Sequence, residues 1–262
     1  MPYAPSGDID VYYETAGSGH PLFFVHGGGG NTMCWFQQVP YFAERYRVIT
    51  VDLRGFKNSR CPPEQSHPRH YPDDILAIMN AEGIDRAAFC CQSLGAWAGL
   101  PLAARHPERV SALFINGSPT PAYSPQNWEV LRTAGDTFNA GHGGNRGGDD
   151  AAVGWNRTFV KEHPELFFLY SRIKELNPGF DARTMQDDDV KLLPEDLACF
   201  STPTLMAGGS HDDFLTPTSH LHVATLIPGA VPHTFEESGH SAYFETPGEF
   251  NAALDSFLSR HV

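Results

Sequence analysis

A serine, an aspartate and a histidine stand in this chain where one reaction could use all three. Ser93 lies within Cys91-Gln92-Ser93-Leu94-Gly95, after the apolar run Arg86-Ala87-Ala88-Phe89-Cys90-Cys91 and before Leu94-Gly95-Ala96-Trp97-Ala98-Gly99-Leu100. The first segment reads as a short buried strand and the second as a helix, which puts Ser93 at a sharp strand-to-helix turn. Such a turn is strained and needs small residues two positions before and after the serine. Gly95 meets this need fully, and Cys91 meets it with a compact side chain. The hydroxyl is pushed outward, open to a base on one side. It also lies over the amino end of the next helix, where N–H groups and the dipole favour developing negative charge.

Serine is a poor nucleophile at its own pKa and needs a base within hydrogen-bond reach. His240, in Glu237-Ser238-Gly239-His240-Ser241, can take the serine proton and return it to a leaving group. Asp212, in Gly209-Ser210-His211-Asp212-Asp213, would hold the imidazole in the right tautomer and stabilise its charged form. Asp213 competes for that role; Asp212 is preferred because it falls three residues after Gly209. The small-x-Ser-x-Gly pattern alone arises by chance in many proteins, so the surrounding elements must decide.

Those elements alternate. Gly7 to Thr15 reads as one or two antiparallel strands, Pro21 to His26 as a strand ending in four glycines, and Arg47 to Asp52 as another. Pro72 to Glu82 reads as a helix, with Pro72 in its first turn and Asp73 and Asp74 near its positive end. The Ser93 strand and helix follow, then a strand over Val110 to Gly117. After Pro119-Thr120-Pro121 the rhythm stops, and Ser124 to about Phe200 shows amphipathic helical stretches and a glycine-rich loop, Gly141 to Gly148. Pro203 to Gly209 resumes the strand pattern, Val231 to Glu236 gives the last strand, and Pro247 to Arg260 the closing helix. Strands alternating with helices predict an α/β fold, a mostly parallel sheet covered by helices on both faces. Residues 1–120 and 201–262 would form the core, with 121–200 inserted as a helical cap. In a parallel sheet the carboxyl ends of the strands share one edge, so the loops holding Ser93, Asp212 and His240 can converge there.

Composition narrows the function. The chain has 262 residues and a formal net charge of −13, which argues against nucleic acid or an anionic membrane as partner. No apolar run approaches the roughly 20 residues that span a bilayer. The first residues, Met1-Pro2-Tyr3-Ala4-Pro5-Ser6-Gly7-Asp8, lack a basic segment followed by an apolar one, so a cytoplasmic location is expected. Five cysteines (34, 61, 90, 91 and 199) show no metal-ligand spacing and read as reduced thiols. Adjacent Cys90 and Cys91 point to opposite faces of their strand and pack in the core. The histidines and carboxylates lack metalloprotease spacing, and no Lys-Ser/Thr follows Gly27 to Gly30, so neither a metal nor a phosphate loop is expected.

The chain resembles serine hydrolases of the α/β-hydrolase superfamily, most of all the 3-oxoadipate enol-lactonase-like and small bacterial carboxylesterase branch. The resemblance rests on His26-Gly27-Gly28-Gly29-Gly30, Asp52-Leu53-Arg54-Gly55-Phe56, the Ser93 turn, Gly209-Ser210-His211-Asp212 and Ser238-Gly239-His240-Ser241. These span residues 20 to 258 apart from the cap, and are specific for fold rather than substrate. The resemblance implies the α/β-hydrolase fold, a Ser93-His240-Asp212 triad, no cofactor, and a small-molecule substrate. It also implies an oxyanion hole from the backbone N–H groups of Gly28 and Leu94, with Gly29 an alternative because four glycines leave the register open. One departure stands out: the family shows Arg-Gly-x-Gly-x-Ser where this chain has Arg54-Gly55-Phe56-Lys57-Asn58-Ser59, with Lys57 in a glycine position.

Other residues carry weaker readings. Trp35, Phe36 and Trp97 are candidates for the walls of an acyl pocket, against plain core packing. Phe167, Phe168, Leu169 and Tyr170 are candidates to face the cleft from the cap. Arg132, Arg157 and Lys161 could meet an anionic substrate, against solvated cap faces. His26 reads as a structural residue across its turn, and Asp52 and Arg54 as braces for the following loop. The leading function is hydrolysis of a small carboxylic ester or lactone through an acyl-enzyme. Two rivals are carbon–carbon bond hydrolysis of a dienoic keto-acid on the same triad, and a catalytically slow ligand-binding protein of the same fold.

Overall fold

The computed structural model describes residues 2–142 and 153–262, so most of the expected glycine-rich loop at 141–148 lies outside the described residues. In chain order the strands are Tyr3–Ser6 (β1), Ile9–Ala16 (β2), His20–Val25 (β3), Tyr46–Val51 (β4), Ala87–Gln92 (β5), Val110–Asn116 (β6), Thr204–Gly209 (β7) and Val231–Phe235 (β8). They form one 8-stranded sheet in the order β1-β2-β4-β3-β5-β6-β7-β8. The pairs β1·β2 and β2·β4 are antiparallel, and every pair from β4 to β8 is parallel.

The central strands are apolar along their whole length because both sheet faces are covered. Alternate side chains enter two separate cores. Phe23, Val25, Phe89, Cys91, Leu113 and Ile115 pack on one face, with Tyr71–Ala81 (α2), Ala96–Arg105 (α3) and Pro217–Leu226 (α7). Leu22, Phe24, Ala88, Cys90, Ala112 and Phe114 pack on the other, with Val39–Phe42 (α1) and Pro247–His261 (α9). Cys90 and Cys91 thus divide between the two cores, and all five cysteines are free thiols. Between β6 and β7 the chain leaves the sheet and forms helices Pro125–His142 (α4), Arg157–Glu162 (α5) and Pro164–Glu175 (α6). A last short helix, Ala242–Glu245 (α8), precedes α9. No helix among the described residues is long and apolar enough to cross a membrane.

Two polar braces hold the sheet edge that carries the loops. The buried guanidinium of Arg54 spans both carboxylate oxygens of Asp74 at 2.9 and 2.5 Å, and Asp74 also accepts from the Ser6 hydroxyl. Asp52 accepts the N–H groups of Thr32 and Asn58, which ties the loop after β4 to the loop after β3. Lys57 keeps the backbone its glycine position calls for: its φ is +33°, and its ammonium bonds the Thr32 hydroxyl at 3.2 Å. The departure from the family pattern leaves the loop in a glycine-like conformation, held by a side-chain contact that glycine would lack.

The turn after β5 is bought by close packing. A 3₁₀ turn, Ser93–Gly95, joins β5 to α3. A Cβ at Gly95 would lie 2.4 Å from the Val25 carbonyl oxygen, and one at Gly99 would lie 2.5 Å from the Cys91 sulfur. Cys91 can therefore stand where this turn usually has glycine because Gly99, on the next helix, leaves room for its thiol. Gly99→Ala should lower stability by about 1–3 kcal/mol in urea unfolding. In a Cys91→Ala background the cost should be smaller by at least about 0.5 kcal/mol. Equal costs in the two backgrounds would show that the thiol and the glycine are not coupled.

Candidate active site

Ser93 has a φ of +49°, in the left-handed region that side chains rarely adopt. Holding a non-glycine residue there costs about 1–3 kcal/mol and requires surroundings that over-determine it. Here the Ser93 carbonyl accepts from the Ser118 hydroxyl at 2.7 Å and from the N–H of Ala96. Ser118 and its neighbours are fixed in turn by Asn127, whose amide donates to the carbonyls of Pro119 and Ala122 at 2.7 and 2.8 Å. Leu94 occupies the second position of the 3₁₀ turn, so its N–H has no acceptor within that turn.

His240 follows β8 and Asp212 follows β7. The Asp212 carboxylate accepts from His240 Nδ1 at 2.7 Å on one oxygen, and its other oxygen accepts the N–H groups of Phe214 and Leu215 at 2.8 Å. That arrangement leaves Nε2 as the ring nitrogen available to a substrate or to serine. Burial pushes the His240 pKa down, while the Asp212 charge and hydrogen bond, with Glu245 and Asp213, push it up, and the net shift is upward. Asp213, the competing carboxylate, faces elsewhere: it accepts from the Gly154 N–H and pairs with Arg157.

Ser93 and His240 border one cavity of about 620 Å³, together with Gly28, Gly29 and Leu94. A Cβ at Gly27 would lie 2.9 Å from the Ser93 Cβ, so the peptide group leading into Gly28 adjoins the serine. His26 fixes this glycine turn. Its Nδ1 donates to the Gly27 carbonyl at 2.7 Å and its Nε2 accepts from the Leu53 N–H at 3.0 Å. Burial lowers the His26 pKa to about 4, so the ring is neutral and serves as a brace between two loops.

The cavity walls differ from the expected ones. Trp35, Phe36 and Trp97 do not border the cavity. Trp35 is wholly buried and packs against Phe24 and Tyr243, with ring centroids 4.9 and 4.5 Å away. Phe36 is 42% exposed and touches Phe244 by an edge. Trp97 points into the core of the α3 face, and its indole N–H donates to the Met185 carbonyl. The walls come instead from the segment between β6 and β7, chiefly Phe138, Trp155, Phe167, Tyr170 and Phe180, with Phe214 from the Asp212 loop. Phe167 and Tyr170 share a face of α6, whereas Phe168 is exposed and Leu169 packs on the sheet core. Arg132, Arg157 and Lys161 all lie outside the cavity lining, where Lys174 is found.

Two further features had no sequence signal. Glu245 is a buried carboxylate that accepts the backbone N–H groups of Gly239 and Ser241, both at 3.0 Å, and so grips the chain on either side of His240. Its third donor is the Asn156 N–H at 2.9 Å, from the segment between β6 and β7. Burial pushes the Glu245 pKa up and the three donors pull it down, with a net upward shift. His67, Asp187 and Asp189 gather their ligand atoms within 4.8 Å of one another. There His67 Nδ1 accepts the Arg69 N–H, so Nε2 carries the proton and donates to Asp187, while Arg69 pairs with Asp189. That cluster is a polar tie rather than a vacant set of ligands.

A parallel sheet, a left-handed serine at a strand–helix turn and a histidine–aspartate pair at the same sheet edge define an α/β hydrolase. Residues 20–247 match the alpha/beta hydrolase fold family, and the chain belongs to it. It is 26% identical to a 2-hydroxymuconate semialdehyde hydrolase of a Pseudomonas species, over 96% of this chain and 91% of that one. Identity is also 26% to 3-oxoadipate enol-lactonase 2 of Acinetobacter baylyi, over 97% and 94% of the two chains. Among solved structures it is similar to the N-acyl homoserine lactone degrading enzyme Est816, with a TM-score of 0.78, 26% identity, and 98% and 100% coverage.

Glu245 should act on His240 through charge as well as through position. An NMR titration of the His240 ring should give a pKa above the ordinary value of about 6.5. Glu245→Gln removes a negative charge and so should shift that titration to lower pH. It also replaces an acceptor oxygen by a donor facing backbone N–H groups, which should lower the melting temperature. A lower melting temperature with an unmoved His240 titration would reduce Glu245 to a structural role.

Proposed function

We propose that the protein is a serine hydrolase that cleaves a small carboxylic ester or lactone through an acyl-enzyme, without a cofactor. The observation that carries this reading is the left-handed Ser93 sharing a cavity with a histidine whose Nδ1 is held 2.7 Å from Asp212. Ser93 Oγ attacks the carbonyl carbon as its proton passes to His240 Nε2. The N–H groups of Gly28 and Leu94 receive the oxyanion, and each such donor is worth roughly 10²–10³ in rate. Asp212 stabilises the imidazolium, which then gives its proton to the departing alkoxide. Water attacks the acyl-enzyme, His240 takes its proton, and collapse of the second tetrahedral intermediate releases the acid and restores Ser93. Residues 121–200 act as a cap that walls the acyl group with aromatic rings.

Support from relatives is consistent with this reading but coarser. One relative is an enol-lactonase and another a hydrolase of 2-hydroxymuconate semialdehyde, so ring-cleavage products belong in the same screen as esters and lactones. A fluorophosphonate probe should label the protein at Ser93, located by peptide mass spectrometry, and labelling should fade in His240→Ala. Ser93→Ala should lower ester or lactone turnover by about 10⁴-fold or more. Unchanged turnover in Ser93→Ala would refute the acyl-enzyme.

A further inference from the structure

The cavity is bordered by one cation that no carboxylate among the described residues balances. Arg172, Lys174 and Glu175 all border it, and Arg172 pairs with Glu175 at 2.5 Å. Those two charges offset each other. Lys174 has no carboxylate within 4.0 Å of its ammonium among the described residues, in a chain with 31 acidic residues against 18 lysines and arginines. Its Nζ instead lies 5.7 Å from the centre of the Phe138 ring. Burial pushes its pKa down, which means the charged form lacks compensation where it sits.

Lys174 is also held in place relative to the oxyanion loop. The Asn31 amide donates to the Ile173 carbonyl at 3.0 Å and to the Asn177 side chain at 3.2 Å. The Asn177 amide in turn donates to the Gly30 carbonyl at 3.0 Å. The last turn of α6 is thereby pinned to the loop that follows β3. Phe138 bridges the remaining gap: a Cβ at Gly28 would lie 2.9 Å from Phe138 Cζ, while Lys174 faces the same ring. Gly28 and the Lys174 ammonium thus both flank the Phe138 ring, so one short-chain substrate can place a carbonyl at the one and an anion at the other.

We propose that Lys174 binds a carboxylate of the substrate, so that the preferred ester or lactone is one that carries a free carboxylate a few carbons from its scissile carbonyl. This rests on the hydrolase reading above for the reaction, but not for the binding. An anion at Nζ supplies the missing countercharge, and a charge-assisted hydrogen bond is stronger than a neutral one. The aromatic walls would cover the carbon chain between the two polar ends.

The test separates binding from turnover. In Ser93→Ala protein, calorimetric titration should show monomethyl glutarate binding at least about tenfold more tightly than dimethyl glutarate, the scale of one hydrogen bond to a charged group. That preference should vanish in Ser93→Ala/Lys174→Gln and survive in Ser93→Ala/Lys174→Arg. With Ser93 present, the ratio of kcat/KM for para-nitrophenyl hemiglutarate over para-nitrophenyl pentanoate should fall by a similar factor in Lys174→Gln. Equal binding of the two glutarates, or a preference that persists without the Lys174 charge, would overturn the proposal. The comparison of the two glutarates in Ser93→Ala protein needs no variant at position 174 to fold. Selective binding of the anion with no turnover of any ester would leave Lys174 in place and overturn the hydrolase reading instead.

Discussion

The structure depends on a backbone conformation at one residue. Ser93 is held at φ +49° where β5 ends and α3 begins, and most of the neighbouring packing serves to keep it there. The strain is of the order of 1–3 kcal/mol, a sizeable fraction of the stability of a typical domain. It is opposed from several sides. Gly95 lets α3 close onto the carbonyl end of β3, Gly99 admits the Cys91 thiol, and Ser118 holds the Ser93 carbonyl from the loop after β6. The three central parallel strands β3, β5 and β6 each contribute a contact, so the conformation of the serine is a property of the sheet and not of its own loop.

The same logic extends to the histidine. Asp212 orients the ring, but the chain that carries it is positioned by groups from three places. Asn116 donates to the His240 carbonyl at 3.2 Å, Gly154 accepts the His240 N–H at 2.5 Å, and Glu245 grips residues 239 and 241. Gly154 and Asn156 both belong to the segment between β6 and β7, so the stretch that leads into α5 is part of the scaffold of His240. Asp213 adds to this by meeting Gly154 and Arg157 from the loop that carries Asp212. Two neighbouring aspartates thus serve different ends, one buried on the imidazole and one tying a loop to the helices above it.

What could be read from the sequence was set by local patterns, and what could not was set by tertiary contact. The inner strands announce themselves because they are buried on both faces, and Ser93 and Asp212 because each follows such a strand; His240 follows the largely exposed edge strand β8 and is marked by its Ser-Gly-His-Ser sequence. Helix α7 escapes because its pattern does not mark its face: His220 is buried while Leu221 is 48% exposed. Trp35 and Trp97 misled because aromatic size near a site says nothing about direction, and both rings point into the sheet cores. Glu245 looked like any acidic residue near a helix end, and its role appears only when Asn156, far away in sequence, is brought beside it. Lys174 resembled the other cations of the inserted helices until Arg172 and Glu175 were seen to pair with each other.

The two halves of the inserted segment therefore stand under different constraints. Residues 153–157 are bonded to the histidine loop through backbone groups, and a shift there would move His240 itself. The walls contributed by α4 and α6 meet the glycine turn after β3 with side chains, Phe138 at Gly28 and Tyr170 at Gly29. Side chains such as Phe138, Phe167, Tyr170 and Lys174 can change size or charge while the peptide groups that hold Ser93 and His240 stay where they are. On the proposed hydrolase reading, substrate preference can diverge along α4 and α6 at little cost to the reaction, whereas change near Gly154 would reach His240 first. On that reading one insertion carries both the side chains that would choose the substrate and the backbone groups that hold His240 in place.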